Sequence, residues 1–269
     1  MILSSNASII YREWKIQVPK AALLLVHGLG AHSLRWEFLA NFFLQKNISS
    51  YAIELRGFGQ TSQLKGHIDS FNIYFNDIRT LRNIIKKENT RKKIFLLGES
   101  MGAIIAFLLA ISDPGLFDGL ICISPAFQSR LKFTVLDYIK IFLTLIYSPR
   151  KQLNMPFNSE MCTQDIAYQR EMDSSELEHR LATPKLLANI ALAQARAIIL
   201  KNRLQTPTLF LLAGVDKLVD SETAKRIFKS LSLNDKEIRR YPDMYHALSI
   251  EIGKEKVFED ILKWIENRL

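Results

Sequence analysis

Cysteine is scarce in this sequence. The chain of 269 residues contains two, Cys122 and Cys162, which is too few for a disulfide framework, and they show no metal-ligand spacing. Cys122 lies in a strand-like apolar run, so we expect its thiol to be buried and unreactive. The cysteines therefore predict neither a disulfide-stapled fold nor a metal centre.

Long hydrophobic runs are also missing. The most membrane-like stretch, FTVLDYIKIFLTLIYS at 133–148, is interrupted by Asp137 and Lys140 and is shorter than the ~20 apolar residues that a membrane span needs. The first residues, MILSSNASIIYREWK, lack a basic start followed by a sustained apolar region, so no signal peptide is predicted. We therefore expect a cytoplasmic protein.

The charge balance is basic, with a formal net charge of +9 and a pI near 9.5. Nucleic-acid binders gather such charge into a patch, whereas these lysines and arginines are scattered. The densest cluster, at 86–93, precedes an expected strand and so falls at the opposite end of the sheet from the motif described below. The pattern favours a solvated loop and no nucleic-acid partner, with transient attraction to an anionic membrane surface as the alternative.

Six short segments have the character of strands, and all but the last are apolar runs. They are 22–28, 49–55, 93–98, 119–124, 208–214 and the more polar 236–242, which we expect at an edge. Between them, residues 71–87 and 253–269 place apolar side chains three or four apart, as on one face of a helix. Strands that alternate with helices predict an α/β fold with a doubly wound, mainly parallel sheet.

The alternation fails after the strand at 119–124. Pro125 follows that strand, at least two helix-like stretches come next without a strand, and Pro207 resumes the pattern. One of these stretches begins with Pro184, which suits the first turn of a helix. We therefore expect a helical cap (lid) at 125–205 over the carboxyl ends of the strands, inserted into a core formed by 1–124 and 206–269.

A small polar segment, GESMG, separates two apolar runs at 98–102. It fits G-x-S-x-G, the nucleophile elbow, in which a serine sits in a strained turn from strand to helix. Glycine at both flanks removes side chains that would collide with the neighbouring strand or helix. The same letters also fit an ordinary connection that contains a serine. The elbow interpretation of Ser100 depends on a base, an acid and an oxyanion hole elsewhere in the chain.

Two later loops supply candidates for the base and the acid. His246 lies between the last strand and the last helix, and Asp216 directly follows the strand at 208–214, so both project from the same end of the sheet as Ser100. The order Ser100, Asp216, His246 is the order of an α/β-hydrolase triad. Asp220 is the competing acid, but its place before SETAKRIF suggests a helix N-cap.

The loop HGLG at 27–30 supplies the candidate oxyanion hole. The backbone N–H of Leu29 and that of Met101, after the elbow serine, would provide two donors. His27 is an alternative base by residue type alone. Its position at the end of a strand favours a structural role that ties the loop.

These motifs resemble the α/β-hydrolase superfamily, and within it the monoacylglycerol lipase/lysophospholipase group. The matching segments span nearly the whole chain in the expected order: HGLGAHSLRWEFLA, LRGFGQTS, LGESMGA, TPTLFLLAGVDKLVD and YPDMYHAL. The resemblance implies an α/β-hydrolase fold with a cap over an acyl-binding tunnel. It makes Ser100 the nucleophile, His246 the base, Asp216 the orienting acid, and Leu29 and Met101 the oxyanion donors.

The sequence departs from the group at three positions. Glu54 replaces the usual Asp, Ala103 replaces the second glycine after the elbow, and Ala31 replaces a Glu beside the glycerol-binding entrance, although Arg35 is retained there as a substrate-binding candidate. The last change weakens the implication of monoacylglycerol without affecting that of a hydrolase.

We therefore expect a serine carboxylic-ester hydrolase that cleaves lipid-like monoesters through an acyl-enzyme on Ser100, with no cofactor and no metal. The partner is a small ester with an acyl chain; the oligomeric state is left open. The alternatives are a short-chain or aryl carboxylesterase, an amidase-like hydrolase and a ligand-binding receptor on the same fold. Within the cap, the apolar residues of 133–148 either pack the cap itself or line a tunnel above Ser100.

Overall fold

The computed structural model describes residues 2–6, 9–131 and 133–269. The strands of these residues are β1 (Ile2–Asn6), β2 (Ile9–Trp14), β3 (Ala21–Val26), β4 (Ile48–Glu54), β5 (Lys93–Glu99), β6 (Gly119–Ile123), β7 (Leu153–Asn154), β8 (Leu181–Ala182), β9 (Thr208–Ala213) and β10 (Lys236–Tyr241). Eight of them form one sheet in the order β1-β2-β4-β3-β5-β6-β9-β10. β3, β4, β5, β6, β9 and β10 are parallel, and β2 and β1 extend the sheet antiparallel beyond β4.

This sheet confirms the predicted α/β class and its mainly parallel, doubly wound architecture. All six predicted strands are present, and the polar β10 lies at an edge as expected. The sequence analysis missed β1 and β2. β2 reads IIYREW, in which Arg12 and Glu13 interrupt the apolar run although both are buried, so neither strict alternation nor a continuous apolar run marks it as a strand.

Helices cover both faces of the large sheet. The α-helices of the described residues are α1 (Glu37–Gln45), α2 (Phe71–Glu88), α3 (Met101–Ser112), α4 (Val135–Tyr147), α5 (Ser159–Cys162), α6 (Ile166–Ser174), α7 (Pro184–Leu200), α8 (Ser221–Ser230) and α9 (Lys254–Glu266). Short 3₁₀ turns occur at Ser33–Trp36 and Lys201–Arg203. Side chains of α1 and α9 pack with one face of the sheet, and side chains of α2, α3 and α8 pack with the other.

Strand β5 shows how the sheet separates the two cores. Ile94 and Leu96 belong to the core under α2 and α3, whereas Phe95 and Leu97 belong to the core under α1 and α9, because successive side chains of a strand point to opposite faces. A strand that is buried on both faces needs a continuous apolar run. This burial explains why the central strands were readable from the sequence.

Residues 125–205, here called the insertion, leave the large sheet after β6 and return to it at β9. They contain α4 to α7 and, contrary to the expectation of no strand, the two-residue strands β7 and β8, which pair with each other. Thr183 caps α7 through a bond from the backbone N–H of Leu186, and Pro184 occupies the first turn, as predicted. α7 packs on α3, and α4 packs on α7.

The helix α4 leaves much of its apolar surface uncovered, since none of its residues is buried. A capping box of Thr134 and Asp137 begins the helix. In the described part of the chain, no helix combines the length and the apolar character that crossing a membrane requires.

Candidate active site

Ser100 lies in the tight turn between β5 and α3, with φ 59° and ψ −119°. Positive φ is unusual for a residue with a side chain and costs free energy unless the surroundings enforce it. A Cβ at Gly98 would collide with the backbone of Gly102, and a Cβ at Gly102 would collide with the carbonyl oxygens of Val26 and His27. The two glycines thus let the turn close against α3 and β3, as the elbow motif predicts.

Asp216 and His246 meet although 30 residues separate them. Nδ1 of His246 donates to Oδ2 of Asp216 at 2.8 Å, and both side chains are buried. The other carboxylate oxygen of Asp216 accepts from the backbone N–H of Leu218 and of Val219, at 2.9 and 2.8 Å. These bonds fix the carboxylate and leave Nε2 as the ring nitrogen available to a third group.

The environment of His246 favours its charged form. Burial alone would lower the pKa of His246, but the charge and hydrogen bond of Asp216, with a further contribution from Glu99, raise this pKa above the usual histidine value. The competing acid, Asp220, does not reach His246. It caps α8 by accepting from Glu222 N at 3.2 Å and pairs with Arg130 at 3.2 Å.

Ser100 and His246 open onto one cavity of about 400 Å³. Leu29, Met101 and Arg35 line it too, so all the predicted site residues except the buried Asp216 border the same space. Among the described residues, no hydrogen bond joins Ser100 Oγ to the His246 ring. The structure therefore gives these two side chains a shared cavity, and it connects His246 directly to Asp216.

The far wall of the cavity comes from the insertion and is apolar. From α4 and α7 it includes Tyr138, Ile141, Phe142, Leu145, Leu187, Ile190 and Ala191. One face of α4 thus borders the space above Ser100, as the tunnel interpretation of this helix expects. Ile139, Leu143 and Ile146 do not line the cavity and are 47–58% exposed, while the lining residues Tyr138 and Phe142 are also exposed, at 60–61%.

The two predicted oxyanion donors are free for a ligand. In the part of the chain that the structure describes, neither Leu29 N–H nor Met101 N–H donates to a protein acceptor. The loop before Leu29 lies directly against the elbow, since a Cβ at Gly28 would stand 3.0 Å from that of Ser100. The same loop is tied to the insertion, because His179 N donates to Gly30 O at 3.1 Å.

His27 has the structural surroundings that the sequence favoured for it. Leu55 N donates to its Nε2 at 3.1 Å, so Nδ1 carries the proton that it shares with Gly28 O at 2.9 Å. Burial lowers the pKa of His27 to about 4. A neutral ring with both nitrogens engaged joins the loop after β3 to the end of β4.

Arg35 borders the cavity but is held by a side chain that the sequence analysis did not single out. Its Nε and Nη2 bond to Oε1 and Oε2 of Glu178 at 3.1 and 2.6 Å. Burial would raise the pKa of Glu178, but the charge of Arg35 and contacts with His32 keep it below its usual value. The pair joins the first turn after β3 to the insertion.

Two further buried carboxylates surround the His246 loop. Glu99, the residue before Ser100, accepts from Ser249 N at 3.2 Å and contacts Ser249 Oγ at 2.9 Å, and burial raises the pKa of Glu99. Glu251 is 0% exposed. A charged residue at the end of an apolar strand was a visible sign for Glu99, whereas nothing in the local sequence distinguishes Glu251.

Comparisons with known proteins identify the family of this chain. The family model described as serine aminopeptidase, S33 matches residues 17–253. Human monoglyceride lipase is 30% identical over 266 residues, covering 96% of this chain and 86% of the relative. Phospholipase YtpA of Bacillus subtilis is 24% identical over 250 residues, covering 91% of this chain and 95% of the relative.

Solved structures share the fold. The monoacylglycerol lipase of Paleococcus ferrophilus superposes with a TM-score of 0.88 at 22% identity, and each chain is covered completely. A soluble variant of the Saccharomyces cerevisiae monoglyceride lipase, solved with a substrate analogue, gives a TM-score of 0.87 at 20% identity and covers 99% of this chain and 94% of the other.

Proposed function

Because this chain belongs to the serine aminopeptidase S33 family, in the monoacylglycerol lipase-like group of α/β-hydrolases, we propose that it cleaves lipid-like monoesters through an acyl-enzyme on Ser100. The enzyme class is that of a carboxylic-ester hydrolase of the lipase and esterase type. The finer proposal concerns the residues and the substrate. The observation that carries it is His246, which is bonded to the buried Asp216 and opens onto the same cavity as the strained Ser100.

In the first half of the reaction, Ser100 Oγ attacks the ester carbonyl while Nε2 of His246 takes the hydroxyl proton. Asp216 holds the ring through Nδ1 and stabilises the imidazolium that forms. The carbonyl oxygen becomes an oxyanion, which the unpartnered N–H groups of Leu29 and Met101 accommodate. The bond to the alcohol then breaks, and His246 returns its proton to the leaving oxygen.

In the second half, a water molecule attacks the acyl-enzyme and His246 takes a proton from it. The second oxyanion forms in the same place, Ser100 Oγ leaves with the proton of His246, and the fatty acid is released. No step requires a metal ion or an organic cofactor.

The size and the apolar lining of the cavity support a substrate that is recognised mainly through a single acyl chain. Its volume of about 400 Å³ lies in the range of small-molecule sites, and α4 and α7 make its outer wall apolar. Arg35 borders the cavity within electrostatic range of Glu99 and His246. We place the leaving alcohol at this polar end and the acyl chain under the insertion.

We propose that residues 125–205 act as a cap on a core formed by 1–124 and 206–269. The cap supplies the apolar wall, and it is fastened beside the site through Glu178 to Arg35 and through His179 to Gly30. The uncovered apolar face of α4, on a chain of net charge +9, supports transient contact with an anionic lipid surface. The cytoplasmic location expected from the sequence stays a prediction.

The test combines labelling with a substrate panel. A fluorophosphonate probe labels an activated serine, so it should label the native chain and not Ser100→Ala. The native chain should hydrolyse monoacylglycerols or lysophospholipids in preference to simple esters, and folded Ser100→Ala should hydrolyse none. Best activity on acetyl or aryl esters would favour the short-chain esterase, and an unlabelled, inactive native chain would favour a binding protein.

A further inference from the structure

Glu251 is a buried carboxylate that the proposed mechanism does not use. Its Oε1 accepts from Thr163 Oγ1 at 3.1 Å, Gln164 N at 3.0 Å and Ile252 N at 2.8 Å. Its Oε2 accepts from Tyr245 N at 3.0 Å and Gln164 N at 3.2 Å. Because backbone N–H groups can only donate, both side-chain oxygens of Glu251 must act as acceptors.

The donors come from two parts of the chain. Tyr245 and Ile252 belong to the loop that carries His246, whereas Thr163 and Gln164 belong to the cap, between α5 and α6. Next to His246 on its other side, Ala247 N donates to Cys162 O at 2.8 Å. The residues on both sides of His246 are therefore bonded to one short cap segment, 162–164, or to the carboxylate that binds it.

We propose that Glu251 is a positioning residue for His246: it fastens the histidine loop to the cap at 163–164 and so holds the ring against Asp216. The inference rests on the proposed function, in which His246 is the base. In this proposal the cap helps to position the base and also lines the cavity.

Replacement of Glu251 by glutamine tests the need for two acceptors. If the amide nitrogen takes the place of Oε1, it faces the N–H groups of Gln164 and Ile252. If it takes the place of Oε2, it faces the N–H groups of Tyr245 and Gln164. Either orientation sets donor against donor in a buried site, where an unmade hydrogen bond is costly. The loop must shift although the side chain keeps its shape.

A shifted loop should change how His246 titrates. The charged groups around its ring are Asp216 from the loop after β9, Glu99 from the end of β5 and Arg35 from the 3₁₀ turn. Asp216, which touches the ring, raises the pKa of His246, whereas Arg35 lowers it. Loosening the contact with Asp216 should therefore move the pKa of His246 down toward its usual value.

The experiment measures kcat/KM against pH, from about pH 5 to pH 9, with active sites counted by fluorophosphonate labelling. We expect Glu251→Gln to lower the plateau on the order of tenfold or more and to move the acid limb to lower pH. The matched control is Asp77→Asn. Asp77 is a buried carboxylate of α2 that does not line the cavity, and its two oxygens accept from Arg56 at 2.7 and 2.9 Å. This variant should lower Tm and leave the acid limb in place.

A second pair of variants covers the case in which Glu251→Gln does not fold. Thr163→Val removes the cap hydroxyl that donates to Glu251, and Thr163→Ser keeps it. We expect a smaller shift of the acid limb, in the same direction, for valine and none for serine. A native acid limb in folded Glu251→Gln, or in Thr163→Val when the former does not fold, overturns the inference. It would leave the proposed function intact as long as Ser100→Ala is inactive.

Discussion

Ser100 holds a backbone conformation that costs of order 1–3 kcal/mol for a residue with a side chain, and its neighbours keep it there. Gly98 and Gly102 let α3 and β3 close on the turn, while all residues of α3 from Met101 to Ile111 are buried. The packing of this helix stabilises the fold enough to hold one strained serine at the edge of the cavity.

The Asp216–His246 bond leads to a residue-level prediction. Asp216→Asn keeps the size of the side chain and removes the charge that holds the imidazolium, so we expect kcat to fall by a factor on the order of 10⁴. His246→Ala should be at least as damaging, and the two losses should not add, because the residues act as a unit. Steady-state kinetics on a soluble ester checks both.

Asp220→Asn is the matched control for the acid. This carboxylate caps α8 and pairs with Arg130. Asparagine caps a helix as well as aspartate does, so the variant loses only the partly exposed ion pair and should cost at most about 1 kcal/mol of stability and little activity. A silent Asp216→Asn together with an inactive Asp220→Asn would reassign the acid.

Titration of His246 gives a second prediction at this scale. The base must be neutral to accept the proton of Ser100, and Asp216 and Glu99 raise the pKa of His246 above the usual 6.5. Activity should therefore fall as the pH drops through a midpoint above 6.5, and the loss should be reversible. His27 cannot produce this limb, since burial lowers its pKa to about 4.

A pH–rate profile of kcat/KM, measured with and without a chelator, tests this assignment. The chelator should leave the profile unchanged. A midpoint at or below 6.5 would contradict the effect ascribed to Asp216 and Glu99 on the pKa of His246, and strong loss on chelation would contradict the proposed mechanism.

The sequence could predict some site residues and not others, for a physical reason. Ser100 stands in a motif with strict steric demands, and Asp216 and His246 follow strands whose apolar character is easy to read. Glu178 and Glu251 have no such sign. Glu178 binds Arg35, 143 residues away, and Glu251 accepts from Gln164, 87 residues away, besides its neighbours Tyr245 and Ile252. The contacts that join these two carboxylates to distant parts of the chain come from tertiary packing.

At the scale of elements, strands with a continuous apolar run were readable from the sequence. The central strands are buried on both faces and were found, and α7 begins at Pro184 as its sequence indicates. β2 was missed because its buried Arg12 and Glu13 break the apolar run. The pairing of β7 with β8 involves two residues of each strand, too few to leave a pattern.

We propose that helix α4 uses two apolar faces for different tasks, and a matched pair of substitutions tests this proposal. Ile141 lines the cavity, whereas Ile139 is 50% exposed on the other side. A carboxylate at 141 would be desolvated beside a bound acyl chain, so Ile141→Asp should lower kcat/KM for a soluble decanoyl ester on the order of tenfold and spare an acetyl ester.

Ile139→Asp should leave the soluble ester unaffected and slow hydrolysis of a monoester presented in anionic vesicles, because the new charge meets the lipid surface. Rates on both presentations give the comparison. Equal effects of the two variants on the soluble ester would contradict the assignment of the faces.

For the whole molecule, the shape of the covered cavity predicts a dependence on acyl length. The core supplies the reacting groups, and apolar side chains of α4 and α7 line the same cavity of about 400 Å³. Each additional CH₂ that becomes buried there contributes up to about 0.8 kcal/mol of binding, or up to about a fourfold gain in kcat/KM. We expect octanoyl and decanoyl monoesters to be cleaved better than acetyl esters, with a plateau where the cavity ends.

Triacylglycerols should be poor substrates, because the cavity admits one chain. Measurements of kcat/KM across glycerol monoesters of increasing chain length decide the matter, and a steady decline from acetate upward would leave a small-ester hydrolase instead.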